Sequence, residues 1–236
     1  MKTNAHISFY CRAKIIIVIS FLLLSVPRTY GQIGIRVGMG ISDIGLLAEG
    51  QVPFFGYEIN SLMHNWPLPS YQAGLIYNYP LGQRFNLNTG LLFSQQGFNC
   101  NNTFLYDYIV YRLHISYLKL PATLKFKTKV SKGKHSGIVL GPYVSGTLRA
   151  ILRTEVEGQL EKREMDNVNG IDFGCELGYT WDIGKQPGKF LLDLRCSYSL
   201  INSINAQESY IPWYYGPDKI YARNINIVLA CEYMIK

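Results

Sequence analysis

From residue 32 onward, large apolar residues alternate one by one with polar or small residues, the period of a β-strand whose two faces meet different surroundings. The clearest stretch puts Ile171, Phe173, Cys175, Leu177, Tyr179 and Trp181 on one face. Asp172, Gly174, Glu176, Gly178 and Thr180 take the other. The same pattern runs through residues 190–200, with Phe190, Leu192, Leu194, Cys196, Tyr198 and Leu200 on one face, and through 224–235, with Ile225, Ile227, Leu229, Cys231, Tyr233 and Ile235. Weaker versions cover 33–42, 71–79, 85–94, 118–127 and 137–148. Together these stretches predict eight strands.

The connections alternate in length. Long ones fall at about 43–69, 98–114, 149–169 and 201–222, and short ones at 80–84, 128–136 and 182–189. Antiparallel strands joined this way carry all their long loops at one end and all their turns at the other, an asymmetry of outer-membrane barrels. The expected fold is an all-β, eight-stranded antiparallel up-and-down transmembrane β-barrel with four long outer loops and three short periplasmic turns. Both ends of the barrel segment then lie on the periplasmic side.

Alternation does not say which face points out, since a soluble lipocalin-like barrel has the same period with its apolar face turned in. Three features favour the membrane. The polar face carries small residues such as Gly74, Gly90, Gly141, Gly174 and Gly178, which suit a crowded lumen. The apolar face ends in aromatics beside the short turns: Tyr77, Tyr79, Phe85, Phe126, Trp181, Phe190 and Tyr233 form an expected interface belt. Strands of about nine to eleven residues suit a tilted bilayer crossing. The lumen face then holds charges of both signs, Arg36, Lys119, Lys125 and Arg195 against Asp172, Glu176, Asp193 and Glu232. Buried charges must pair, so a plugged, salt-bridged interior is expected.

Residues 1–31 read as a cleaved signal peptide. Lys2, Arg12 and Lys14 precede an apolar run, Ile15 to Leu24, and Thr29 and Gly31 supply small residues before Gln32. Residues 32–236 are then the barrel domain, exported to the outer membrane, where its lipid is the first partner. Without the leader the net charge falls from +7 to +3, because Lys2, Arg12, Lys14 and Arg28 leave with no acid. The remaining Lys cluster, 125 to 134, straddles a predicted turn, and no stripe suited to nucleic acid appears. Cys100, Cys175, Cys196 and Cys231 lack metal-ligand spacing, and the last three lie on apolar strand faces as small hydrophobes. No cofactor motif is present.

The order of segments resembles the PorT-like outer-membrane β-barrel family. The resemblance rests on "YQAGLIYNYPLGQRFNLNTGLLFSQQGF", "YLKLPATLKFK", "GIVLGPYVSGTL" and "NGIDFGCELGYTWDIG", and spans residues 32–236. It implies the barrel fold and outer-membrane location, and through the family's namesake an association with protein secretion. Three roles follow as expectations. The first is a non-enzymatic barrel whose outer loops contact envelope or secretion proteins, with Phe54-Phe55-Gly56-Tyr57, Tyr106-Asp107-Tyr108 and Trp213-Tyr214-Tyr215 as aromatic anchors. The second is a secretion accessory. The third is a hydrolase using His64 and His114 near Ser61, Asp107 and Glu155, with His135 left in a turn at the far end.

Overall fold

The computed structural model of the chain describes residues 31–47, 58–60, 63–104, 107–129, 135–165, 168–183, 189–201, 203 and 221–235. All of the proposed leader but its last residue, Gly31, lies outside them, as do the aromatic segments 54–57 and 213–215. Ten strands are formed: β1 (Gln32–Leu47), β2 (Glu58–Asn60), β3 (Met63–Pro80), β4 (Phe85–Phe104), β5 (Asp107–Lys129), β6 (His135–Val156), β7 (Gln159–Glu164), β8 (Ile171–Asp182), β9 (Phe190–Ser199) and β10 (Tyr221–Ile235).

Eight of them close a ring. Each of β1, β3, β4, β5, β6, β8, β9 and β10 pairs antiparallel with its neighbours, and β1 joins both β10 and β3. β2 and β7 are short additions to β3 and β6. The stagger of the ring can be read from the register. A path leaving β1 at Ile33 runs through Tyr77, Thr89 and Ala122. The frame of Pro121↔Tyr143 and Leu124↔Leu140 carries it to Pro142, and then to Cys175, Tyr198 and Ile225. It returns to β1 at Asp43, ten residues further on. Such a stagger tilts the strands by about 40° and leaves an eight-stranded interior just wide enough for side chains to fill.

The apolar face points outward. Ile33, Val37, Met39, Leu75, Leu124, Leu140, Ile171, Leu177, Leu194 and Leu229 are exposed, while Arg36, Lys119, Glu176, Asp193, Arg195 and Glu232 are buried in the ring. This is the reverse of a lipocalin-like barrel. The turn end carries residues 81–84, the end of β5 and start of β6, and the end of β8 and start of β9, together with the start of β1 and the end of β10.

The excursions at the other end are built differently from the expected loops. Residues 98–104 and 107–114 continue β4 and β5 as a paired hairpin, and 149–164 form most of a second one, β6–β7. Its turn is Glu157-Gly158, both at positive φ (49° and 82°), the two-residue geometry that matches strand twist. Strands here reach 23 residues, well beyond the nine to eleven expected.

Along these long strands the two faces exchange character. On β5, Leu118, Leu124 and Phe126 point out while Lys119, Thr123 and Lys125 point in. Past Leu118 the outward residues are Ser116, His114 and Arg112, and the inward ones Tyr117, Ile115, Leu113 and Tyr111. Phe98, Leu113, Ile115 and Leu152 there are at most 4% exposed. Within hydrocarbon the outside must be apolar; beyond it the outside meets water and the interior reverts to an oily core. β6 makes the exchange with a bulge at Leu148, between the pairs Ser116↔Arg149 and Tyr117↔Thr147. The extra residue flips the parity, sending Arg149 and Arg153 outward and Ala150 and Leu152 inward. From Phe126 to Leu118, the outward apolar span of a tilted strand is about 20 Å, close to the height of an outer-membrane apolar band.

Candidate functional site

The lumen is organised around two arginines. Arg36 faces Glu232 directly across β1 and β10, and Arg195 lies opposite Gly178 on β8 and Val228 on β10. Arg195 reaches Asp193 at 2.8 Å, Glu176 at 2.9 Å and Glu232 at 3.5 Å. Arg36 reaches Glu232 at 3.2 Å and Asp193 at 3.3 Å. With the Gln72 side-chain amide turned so that its oxygen faces the guanidinium, Arg36 Nε and Nη2 donate to that oxygen at 3.0 and 2.9 Å. Lys119 closes the chain with Glu176 at 2.6 Å and lies 3.9 Å from the centre of the Tyr143 ring. Arg36, Lys119 and Arg195 thus face Glu176, Asp193 and Glu232, a balanced set whose members are all at most 4% exposed.

Two of the expected lumen charges stand apart from this set. Lys125 is buried, yet among the described residues it has no carboxylate within 4.0 Å. Asp172 is held by hydroxyls: Tyr143 Oη donates to it at 3.2 Å and Ser199 Oγ donates to its other oxygen. Gly174 makes this arrangement possible, since a Cβ there would lie 2.6 Å from the Tyr143 ring and 2.1 Å from Tyr198 O.

Layers on either side bracket the charges. Toward the turn end, Ile76, Leu92, Leu191 and Met234 form a buried apolar cluster. Toward the other end, Asn224 donates to Tyr117 Oη at 2.7 Å and Ser70 donates to Asn226 at 2.7 Å. Ser42 Oγ accepts from Gly97 N at 2.8 Å and donates to Gly97 O at 2.9 Å, linking β1 to β4 past the strand between them. The apolar core of Phe98, Leu113, Ile115 and Leu152 follows. Gln72 and Asn224 fall on the polar faces expected to line the lumen, while Tyr117 and Tyr143 were not among the expected lumen residues; the partners of all four depend on the stagger of the ring.

The expected interface aromatics all lie on the outward face at the turn end. Phe85 and Phe126 pack with ring centres 5.3 Å apart, and Phe190 and Tyr233 at 4.8 Å, while Trp181 lies against Tyr179 at 4.7 Å. Tyr77 and Tyr79 are half-buried beside them. Lys189 Nζ sits 5.4 Å from the Tyr233 ring. Cys175, Cys196 and Cys231 are free thiols on the outward face.

The hydrolase candidates are not brought together as a described site. His114 points outward from β5, its Nδ1 3.0 Å from Gln95 Nε2, and Glu155 is engaged by Arg112 at 3.1 Å. Ser61 and the side chains of His64, Asp107 and His135 lie outside the described residues. Among the described residues no group of three His, Cys, Asp or Glu is placed to hold a metal.

A match to the family described as outer membrane protein beta-barrel domain covers residues 28–205. No curated protein sequence matches the chain. Among solved structures, the attachment invasion locus protein Ail of Yersinia pestis, in complex with the heparin analogue sucrose octasulfate, is 13% identical, with a TM-score of 0.42 over 88% of this chain and 100% of its own. The outer membrane protein OprG from Pseudomonas aeruginosa is 10% identical, with a TM-score of 0.42 over 87% of this chain and 96% of its own. The outer membrane protease OmpT from Escherichia coli is 10% identical, with a TM-score of 0.38 over 89% and 99%. The closed strand ring, rather than these scores, carries the fold.

Proposed function

The chain belongs to the outer membrane protein beta-barrel domain family, and from that premise we propose that it is a non-enzymatic, closed barrel that anchors a partner-binding extension at the cell surface. The observation that supports this reading is the exchange of faces along β4, β5 and β6. It divides the molecule into a membrane stake with an ion-paired interior and a projecting part with an apolar core of its own. A pore would need open space through the ring, whereas here mutually paired charges fill the lumen and the apolar Phe98–Leu152 core lies above them. A hydrolase would need a base beside a nucleophile, and His114 faces an amide. Envelope proteins are the partners this reading expects, met through the outer segments that include Trp213-Tyr214-Tyr215.

The test is photo-crosslinking in intact cells from residue 214, with residue 83 in a turn at the other end as control. Capture of the same envelope protein from residue 214 alone supports the reading, and no capture from 214 in cells that carry the folded barrel counts against it. The resemblance of "YLKLPATLKFK" and its companion stretches to the PorT-like family favours a second reading, in which that partner belongs to a secretion apparatus. Unchanged export of cargo proteins in a deletion strain would remove it.

A further inference from the structure

Beyond the apolar band, the outward face of the β5–β7 sheet carries a line of cations. Asn99, Arg112, Arg153 and Lys162 are direct cross-strand partners, so three basic residues stand side by side on three strands. Side chains paired in this way have Cβ atoms about 5 Å apart, and like charges there repel. Glu155 answers Arg112 at 3.1 Å, and Arg149, nearer the band, is answered by Glu164 at 3.2 Å. Among the described residues neither Arg153 nor Lys162 has a carboxylate within 4.0 Å, and Arg153 Nε, though shielded from solvent, has no hydrogen-bond partner. The bulge at Leu148 is what turns Arg153 to this face.

We propose that this row is a binding site for an anionic glycolipid of the outer leaflet, taking phosphate or carboxylate groups on its sugars while its acyl chains lie on the adjoining apolar band. The inference rests on the outer-membrane reading above. Two features select the ligand. The row is continuous with the lipid-facing surface, through Gln95, Ser116 and Arg149 to Phe93 and Leu118. Its height excludes ordinary phospholipid: Arg112 lies six residues past Leu118, about 15 Å along a tilted strand, whereas a headgroup layer adds only about 5–8 Å to each side of the hydrocarbon. Charged sugars stacked above the lipid extend to that level. An anion bridging Arg153 and Lys162 also relieves their mutual repulsion.

The experiment titrates the folded full chain, in detergent micelles, with purified lipopolysaccharide and separately with phosphatidylglycerol. R153Q/K162Q and K162Q are compared with the parent chain and with R84Q, altered in an exposed turn at the far end. The parent binds lipopolysaccharide in a salt-sensitive way, R153Q/K162Q binds it on the order of 10- to 30-fold more weakly, and R84Q is unchanged. K162Q, altered at an exposed position on β7, gives an intermediate loss. Phosphatidylglycerol binding is the same for all four. Equal lipopolysaccharide binding by the parent and R153Q/K162Q overturns the site, as does equal weakening toward both lipids. A gel shift on heating is recorded for each protein; a parent chain without that shift refutes the membrane reading instead.

Discussion

Arg195 is the one side chain that touches all three carboxylates of the buried set, at 2.8, 2.9 and 3.5 Å. Arg195→Met keeps the length and packing of the stem and removes the charge. The set then holds Arg36 and Lys119 against Glu176, Asp193 and Glu232, one negative charge in excess and out of reach of water. Removing one partner of a buried ion pair costs about 3–5 kcal/mol. Each carboxylate here keeps a second cation, Glu176 through Lys119 at 2.6 Å and the other two through Arg36 at 3.2–3.3 Å. The expected loss is therefore near the lower end, about 3 kcal/mol. Glu232 has the longest contacts, so E232Q is the natural compensation, restoring two charges of each sign. The double variant R195M/E232Q should recover at least half of the loss. The assay is reversible urea unfolding of each barrel in lipid vesicles, followed by tryptophan fluorescence and by the heat-dependent gel shift. A cost below about 1 kcal/mol for R195M, the value of an exposed pair, would refute the buried network. So would a double variant as unstable as the single one.

Other substitutions probe other layers. Lys125→Met, which removes a buried cation that has no carboxylate within 4.0 Å among the described residues, should change stability by less than about 1 kcal/mol or raise it in the same unfolding assay. Gly174→Val should abolish the heat-shifted form by forcing a Cβ into the Tyr143 ring and Tyr198 O, whereas Gly82→Ala, with nothing within 4 Å of the added carbon, should leave it intact. Leu113→Ala, at a site with 0% exposure in the outer core, should cost about 2–5 kcal/mol locally. Limited proteolysis would then cleave the β4–β5 extension faster, while the membrane part keeps its heat shift.

The strands within the apolar band were legible because lipid imposes strict alternation there. Ile171 to Trp181 could be read position by position, and the inward set of Arg36, Glu176, Asp193, Arg195 and Glu232 followed from parity alone. The outer extension was legible in part. Tyr111, Leu113, Ile115 and Tyr117 alternate as cleanly as any strand, but an expected length of nine to eleven residues cut β5 short, and polarity runs backwards outside the bilayer. Glu157-Gly158 is a two-residue turn with Gly second, but the strand after it, Gln159–Glu164, is exposed throughout and gives no periodic signal. Which lumen groups would meet was not legible. The partners of Asp172, and the distance of Lys125 from the described carboxylates, depend on the ten-residue stagger, a property of all eight registers together.

The central claim is that the alternating apolar face meets lipid while the charged face is enclosed. The most direct measurement uses spin labels attached singly at the native thiols Cys175, Cys196 and Cys231, and at Ser197→Cys on the inward face of β9, in barrels refolded into vesicles. Collision with oxygen, which concentrates in lipid, is compared with collision with a water-soluble nickel complex. The expected result is high oxygen and low nickel access at the three thiols, and low access to both reagents at residue 197. Nickel access at the three thiols, or oxygen access greater at 197 than at its neighbour 196, would contradict the account.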